Sequence, residues 1–131
     1  MYYALRAVVL VGVVAMLPVR AGAQGVVTQR TISLNMAKII AEATLAECKS
    51  KGYNTAVAVV DRAGQVLVMM RDENGSAQQV EMARRKAYTA RMFRTTTLEF
   101  QKRTMDPKYA PQRDIADILA LGGGVPEAWP A

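Results

Sequence analysis

Three arginines, Arg84, Arg91 and Arg94, follow one another at spacings of seven and three residues. On a helix these spacings bring all three to one face, together with Val80 and Ala87. A planar guanidinium donates two parallel hydrogen bonds to a carboxylate or phosphate, so a stripe of arginines suits an anionic ligand. The same stripe suits a solvated face or salt bridges at a subunit contact, and spacing alone does not choose between them. Lys86 and Thr89 lie between the arginines. Lys86 offers a point charge or simply solvates the surface. The Thr89 hydroxyl either meets a ligand or bonds back to its own helix.

Much other chemistry is excluded by what the chain lacks. It has no His and a single Cys, Cys48. A zinc site of the Cys/His type is therefore out, as are a Ser-His-Asp triad and a Cys-His dyad, which need an imidazole. One Cys forms no internal disulfide, and burial in a helix is its expected fate. Paired carboxylates can do acid–base work, but Asp61 is accounted for by a turn, and neither it nor Asp72 has a positioned partner. Met36, Met69 and Met70 fall on expected core faces and Met82 and Met92 on a helix, where Met more often fills gaps than ligates. Gly122-Gly123-Gly124 lacks the Lys-Ser/Thr and the helix of a phosphate loop and reads as a tight connector. The net charge of +6, from 17 Lys and Arg against 11 Asp and Glu, suits anionic ligands without choosing one. Tyr88 and Phe93 are not interleaved with Arg as in a base-stacking platform, which argues against nucleic acid.

A small set of elements must position these residues. The chain has 131 residues, 51% hydrophobic and 21% charged, which bounds it to one domain and excludes general disorder. Residues 1–23 have the layout of a secretory signal: an early positive charge, an apolar run from Ala7 to Leu17, and Ala21-Gly22-Ala23 as cleavage site. The run is shorter than the ~20 residues a membrane span needs, so no span is expected after cleavage. The expected location is periplasmic or secreted, with residues 24–131 as the single domain. Ser33 is placed to N-cap a helix to Lys51, with Gly52 in the left-handed position beyond it. Met36, Ile39, Ile40, Ala43 and Ala46 form its expected apolar face, and Ala41, Leu45 and Cys48 widen the apolar sector. Asn35, Lys38, Glu42 and Lys49 form the polar stripe, with Lys38 and Glu42 spaced as an i,i+4 pair. Residues 55–60 and 66–70 read as two strands of a hairpin, with Asp61 opening the turn and Gly64 supplying a positive φ. Ser76 and Gln79 have capping-box spacing before a helix to Phe93, and Thr96 and Glu99 before another to about Met105. Pro111 is expected to open a last short helical segment containing Ile115, Ile118 and Leu119.

Three stretches resemble one family. Residues 56–67 resemble the first hairpin of the GlcG/HbpS-type haem-binding (haem-degrading) domain. Lys86-Ala87-Tyr88-Thr89-Ala90 is similar to that family's Lys-Ala-x-Thr-Ala helix motif, and Leu121-Gly122-Gly123-Gly124-Val125-Pro126 to its Gly-Gly-Val-Pro segment. The resemblance implies an α/β (α+β) fold, an antiparallel sheet flanked by helices in a profilin-like sandwich, with subunits assembled into homo-oligomers. It implies haem as the small-molecule ligand, its propionates meeting the arginine face. Thr89, within the shared motif, could offer the iron a hydroxyl, a weak ligand beside imidazole. The expected ligand-binding set is Arg84, Lys86, Thr89 and Arg91. Members that ligate iron through His are no guide here. The family pattern continues past Pro126 with a hairpin and a helix, whereas five residues follow here, so a C-terminally truncated domain is expected. The implied function is an exported haem-binding or haem-sequestering accessory protein rather than a turnover enzyme. A sensor or enzyme for organic acids on the same scaffold is the alternative, as is a truncated product without function.

Overall fold

A computed structural model describes Gly25 and residues 27–126. The expected signal at residues 1–23 and the tail at residues 127–131 lie outside the described residues. The element order is α1 (Leu34–Ser50), β1 (Ala56–Val60), β2 (Val66–Arg71), α2 (Ala77–Phe93) and α3 (Thr97–Arg103), followed by a 3₁₀ turn at Ala110–Asp114. Local chemistry sets the boundaries. Ser33 Oγ accepts from the Met36 N–H at 3.2 Å and caps α1. Thr96 and Glu99 cap α3 reciprocally, each side chain accepting from the other's backbone N–H at 3.2 and 3.3 Å. Caps of this kind contribute about 1 kcal/mol each. Asp61 Oδ1 accepts from Ala63 and Gln65 N–H at 2.8 and 2.9 Å, and Gly64 takes φ +80, so the hairpin turn forms as its composition predicts. Arg94 is the C-cap of α2 with φ 51, so the helix ends at Phe93 rather than running on through Arg94.

The strands pair antiparallel, Val57 opposite Met70 and Val59 opposite Val68. The register shifts between Val59 and Val60, which pairs with Val66, so Leu67 is the extra residue of a bulge. A bulge turns the side chain it adds out of strict alternation. Leu67 thereby joins Val68 and Met70 against the core cluster of Ile32, Ala37, Ala41 and Val59. This is the face that α1 covers. Ala37 and Ala41 are fully buried, and their small side chains let the helix approach the sheet closely. α2 packs against both strands and α3. A second apolar cluster forms beyond it, where Phe93 and Phe100 rings stand 4.3 Å apart and the Arg103 guanidinium lies over both.

Two expectations are corrected. α1 turns its Ala37–Ala41 side to the sheet, so Met36 and Ile39, expected in the core, are 49% and 50% exposed, and Ala43 and Ala46 are exposed too. Two strands offer a narrow floor, and the alanines fit it more closely than Met and Ile would. The last helical segment covers Ala110–Asp114 and stops before Ile115, which takes an extended conformation. Ile118 is nonetheless buried. It is carried there by the loop after a left-handed Asp117 rather than by a helix face.

Candidate functional site

The four residues singled out on α2 go to different places. Arg84 is closed by ion pairs: its guanidinium donates to Glu81 at 2.7 and 3.0 Å and to Asp117 at 2.6 Å. Glu81 and then Asp117 hold Arg84 above its ordinary pKa, and Arg84 in turn holds Glu81 below the usual carboxylate range. Thr89 is fully buried. Its hydroxyl donates to Arg85 O at 2.7 Å and accepts from Leu119 N–H at 2.9 Å, which uses its one donor and one of its two acceptor sites. Lys86 lays its Nζ over Gly123, 3.4 Å from where a Cβ would stand. The glycine segment itself is pinned to α3, with Gly124 N–H donating to Thr97 Oγ1 at 2.8 Å and Thr97 N–H donating to Gly124 O at 3.0 Å. Arg84 and Thr89 therefore fasten residues 117–119 across α2, while Lys86 lies against Gly123 and Thr97 holds Gly124.

Arg91 alone of the four faces open space. It lines a cleft of about 710 Å³ that runs along the outer edge of β1, the edge away from β2. Ala58, Val59 and Val60 form its floor, Ile40 of α1 bounds it on one side, and Ala87 and Arg91 of α2 bound it on the other. The lead-in residues 27–32 and Val125-Pro126 complete its lining. Arg30, Arg62 and Arg94 join Arg91 in the lining. Among the described residues none of these four guanidinium groups makes an ion pair or a side-chain hydrogen bond, whereas Arg84 makes three such bonds. The one acid in the lining, Asp61, already accepts the two turn N–H groups. Four cations from the lead-in, the hairpin turn and the end of α2 thus surround an apolar trough, the arrangement that holds an amphiphilic anion.

Arg30 and Arg62 were not legible as site residues. One lies in a polar lead-in and the other in a tight turn, and only the tertiary fold brings them to Arg91. Among the described residues no group of His, Cys, Asp and Glu could hold a metal ion, and no helix is long and apolar enough to cross a membrane.

With that geometry in hand, comparison with known proteins is informative. The family model of the haem-degrading, HbpS-like proteins matches residues 32–127. No curated protein matches the chain. Among solved structures, HbpS is 32% identical, with a TM-score of 0.76 over 80% of this chain and 73% of that one. A double mutant of HbpS from Streptomyces reticuli is also 32% identical, with a TM-score of 0.78 over 88% and 77%. PduOC, solved as a haem complex, is 21% identical with a TM-score of 0.61 over 70% and 69%, a likeness of fold.

Proposed function

The chain belongs to the HbpS-like family of haem-degrading proteins, and from that premise we propose that it is a haem-binding accessory protein whose β1 cleft takes the porphyrin. The observation that carries this reading is the set of four guanidinium groups, Arg30, Arg62, Arg91 and Arg94, that have no ion-pair partner among the described residues and line an apolar trough. Haem has a flat apolar body and carboxylates at one side, and both halves of the cleft have a counterpart in it. The volume of about 710 Å³ lies within the range of small-molecule sites, roughly 300–1,000 Å³. Bound haem would bring a redox-active iron to the cleft. The protein's own part is to pair the propionates and to cover the ring faces with Ile40, Ala58 and Ala87. Among the described residues the lining contains no His, Cys, Met or Tyr, the side chains that ordinarily ligate haem iron. Retention therefore rests on charge pairing and apolar burial. Of the set Arg84, Lys86, Thr89 and Arg91, the reading keeps Arg91 as a propionate partner and gives the other three structural roles. Export to the periplasm or beyond is part of the same proposal and rests on the signal-like residues 1–23.

Haemin titration followed at the Soret band tests it. Saturable binding is expected for the protein. Replacing both Arg91 and Arg94 by Ala removes two charge-assisted hydrogen bonds of roughly 1.5–3 kcal/mol each, so affinity should fall about a hundredfold or more. Unchanged affinity in that variant would remove the cleft from consideration. No Soret change, together with thermal stabilisation by small organic acids, would transfer the arginines to a different carboxylate ligand.

A further inference from the structure

Beside the hairpin turn lies a smaller hollow of about 440 Å³, lined by Gln29, Thr31, Asp61, Arg62, Arg91 and Arg94. Ala63 is the one apolar residue of its lining among the described residues, and none of Ile40, Ala58 and Ala87, which bound the apolar trough, reaches it. Three guanidinium groups and one carboxylate leave this hollow with a net charge of +2. The carboxylate, Asp61, is spent on the Ala63 and Gln65 N–H groups of the turn. Among the described residues the three guanidinium groups have no ion-pair partner. Three such forks offer more donors than a single carboxylate accepts. A phosphate group carries about two negative charges at neutral pH and one more acceptor oxygen than a carboxylate, so it meets both the charge of the hollow and its surplus of donors. The backbone that carries these arginines is set before any ligand arrives. Gly64 of the turn lies against α2, where a Cβ would stand 2.8 Å from the Tyr88 ring and 2.9 Å from Met92 Cε, so the turn bearing Arg62 is packed onto the helix bearing Arg91. Arg94 is the left-handed C-cap of α2 with φ 51, a place where glycine is the easier residue. Backbone strain of this kind collects at ligand clamps.

We propose that this hollow is a phosphate-binding site, adjoining the trough and sharing Arg91 and Arg94 with it, whose ligand is a phosphate dianion, free or as the end group of a small ester. Arg62, Arg91 and Arg94 hold the oxygens, and Gln29 and Thr31 border the site with neutral hydrogen-bonding groups. The site does not depend on haem occupying the trough.

Calorimetric titration of the purified protein with inorganic phosphate and with phenyl phosphate, at an ionic strength held constant with chloride, reads this directly. Saturable one-to-one binding is expected. Equal affinities would assign the hollow to the free ion, and tighter binding of phenyl phosphate to an ester whose apolar part enters the trough. Arg62→Ala and Arg94→Gly should each weaken binding about tenfold. Arg94→Gly should at the same time keep or raise the melting temperature, because glycine adopts the left-handed conformation freely, so its loss of affinity is not a loss of fold. Lys102→Ala removes one exposed charge from α3 and should change nothing. No saturable heat with either probe would overturn the proposal. So would binding indifferent to Arg62→Ala and Arg94→Gly, or an equal loss in Lys102→Ala, which would reduce the effect to attraction by net charge. The titration contains no haemin, so this proposal and the haem reading fail separately.

Discussion

Arg84 and Arg91 lie on the same helix two turns apart, and they meet different fates. At Arg84 the loop after Ile115 folds back over α2. Asp117 completes a cluster with Glu81, Thr89 Oγ1 takes the Leu119 N–H, and Gly124 seats against α3. At Arg91 the helix nears its end beside the open edge of β1, and the one acid in the described lining there, Asp61, is taken up by the hairpin turn. The negative end of the α2 dipole favours cations in the last turn, which suits Arg91 and Arg94, neither of which has a carboxylate partner among the described residues. What separates an arginine left open to a ligand from a structural one is thus the counter-charge that the described part of the chain does or does not deliver, not position on the helix wheel.

That contrast can be broken most strongly at the fastened end. A Cβ on Gly124 would stand 2.6 Å from Lys86 O and 2.7 Å from Thr97 Cγ2, so Gly124→Ala must displace backbone. The expected loss is about 3 kcal/mol in urea unfolding. Thr89→Val keeps the shape but leaves the Leu119 N–H without its acceptor, at an expected cost of about 2 kcal/mol. Haemin affinity per folded molecule should not change in Thr89→Val. A selective loss of haemin binding there would put the hydroxyl back in the ligand site. Arg84→Ala should cost only about 0.5 kcal/mol, because its ion pairs are partly solvated, and should leave haemin titration untouched. The smallest effect is on pH. Glu81 beside Arg84, and Asp72 beneath the Asn74 N–H and Lys49, are held below the ordinary carboxylate range in the folded state. A depressed folded value stabilises the protein above the unfolded carboxylate range, and that contribution is lost as pH falls through the folded value. The urea midpoint should therefore hold at neutral pH and decline in acid, and less steeply in Arg84→Ala.

Much of this fold could be read from the chain because its signals are local. Ser33, Ser76 and Thr96 mark helix starts, Gly52 and Gly64 mark positive φ, and the Val-rich runs mark the hairpin. The orientation of α1 was not legible. Both of its sides are apolar, and the choice of Ala37 and Ala41 for the core depends on how narrow the facing sheet is. Nor was the bulge at Leu67, which a two-residue period conceals. In the candidate site, Arg91 stood out by type and spacing. Arg84 stood out equally, and only Asp117, distant in sequence, disqualifies it. Arg30 and Arg62 lacked any local mark.

The hydroxyl ties described above also bear on how the molecule comes apart. Residues 115–124 contain no helix or strand, a composition of contacts that ordinarily goes with rapid amide exchange. Yet the Leu119 and Gly124 N–H groups are held by the buried Thr89 and Thr97, each across a long loop of chain. Such contacts order much chain for few bonds, so they should open as a unit before the hairpin does. In native-state hydrogen exchange these two amides should slow together, well below their irregular neighbours, and should share one opening free energy smaller than that of the β1–β2 amides. Thr97→Val should release both at once, whereas two amides responding separately would mean that the threonines act as single caps and not as one latch.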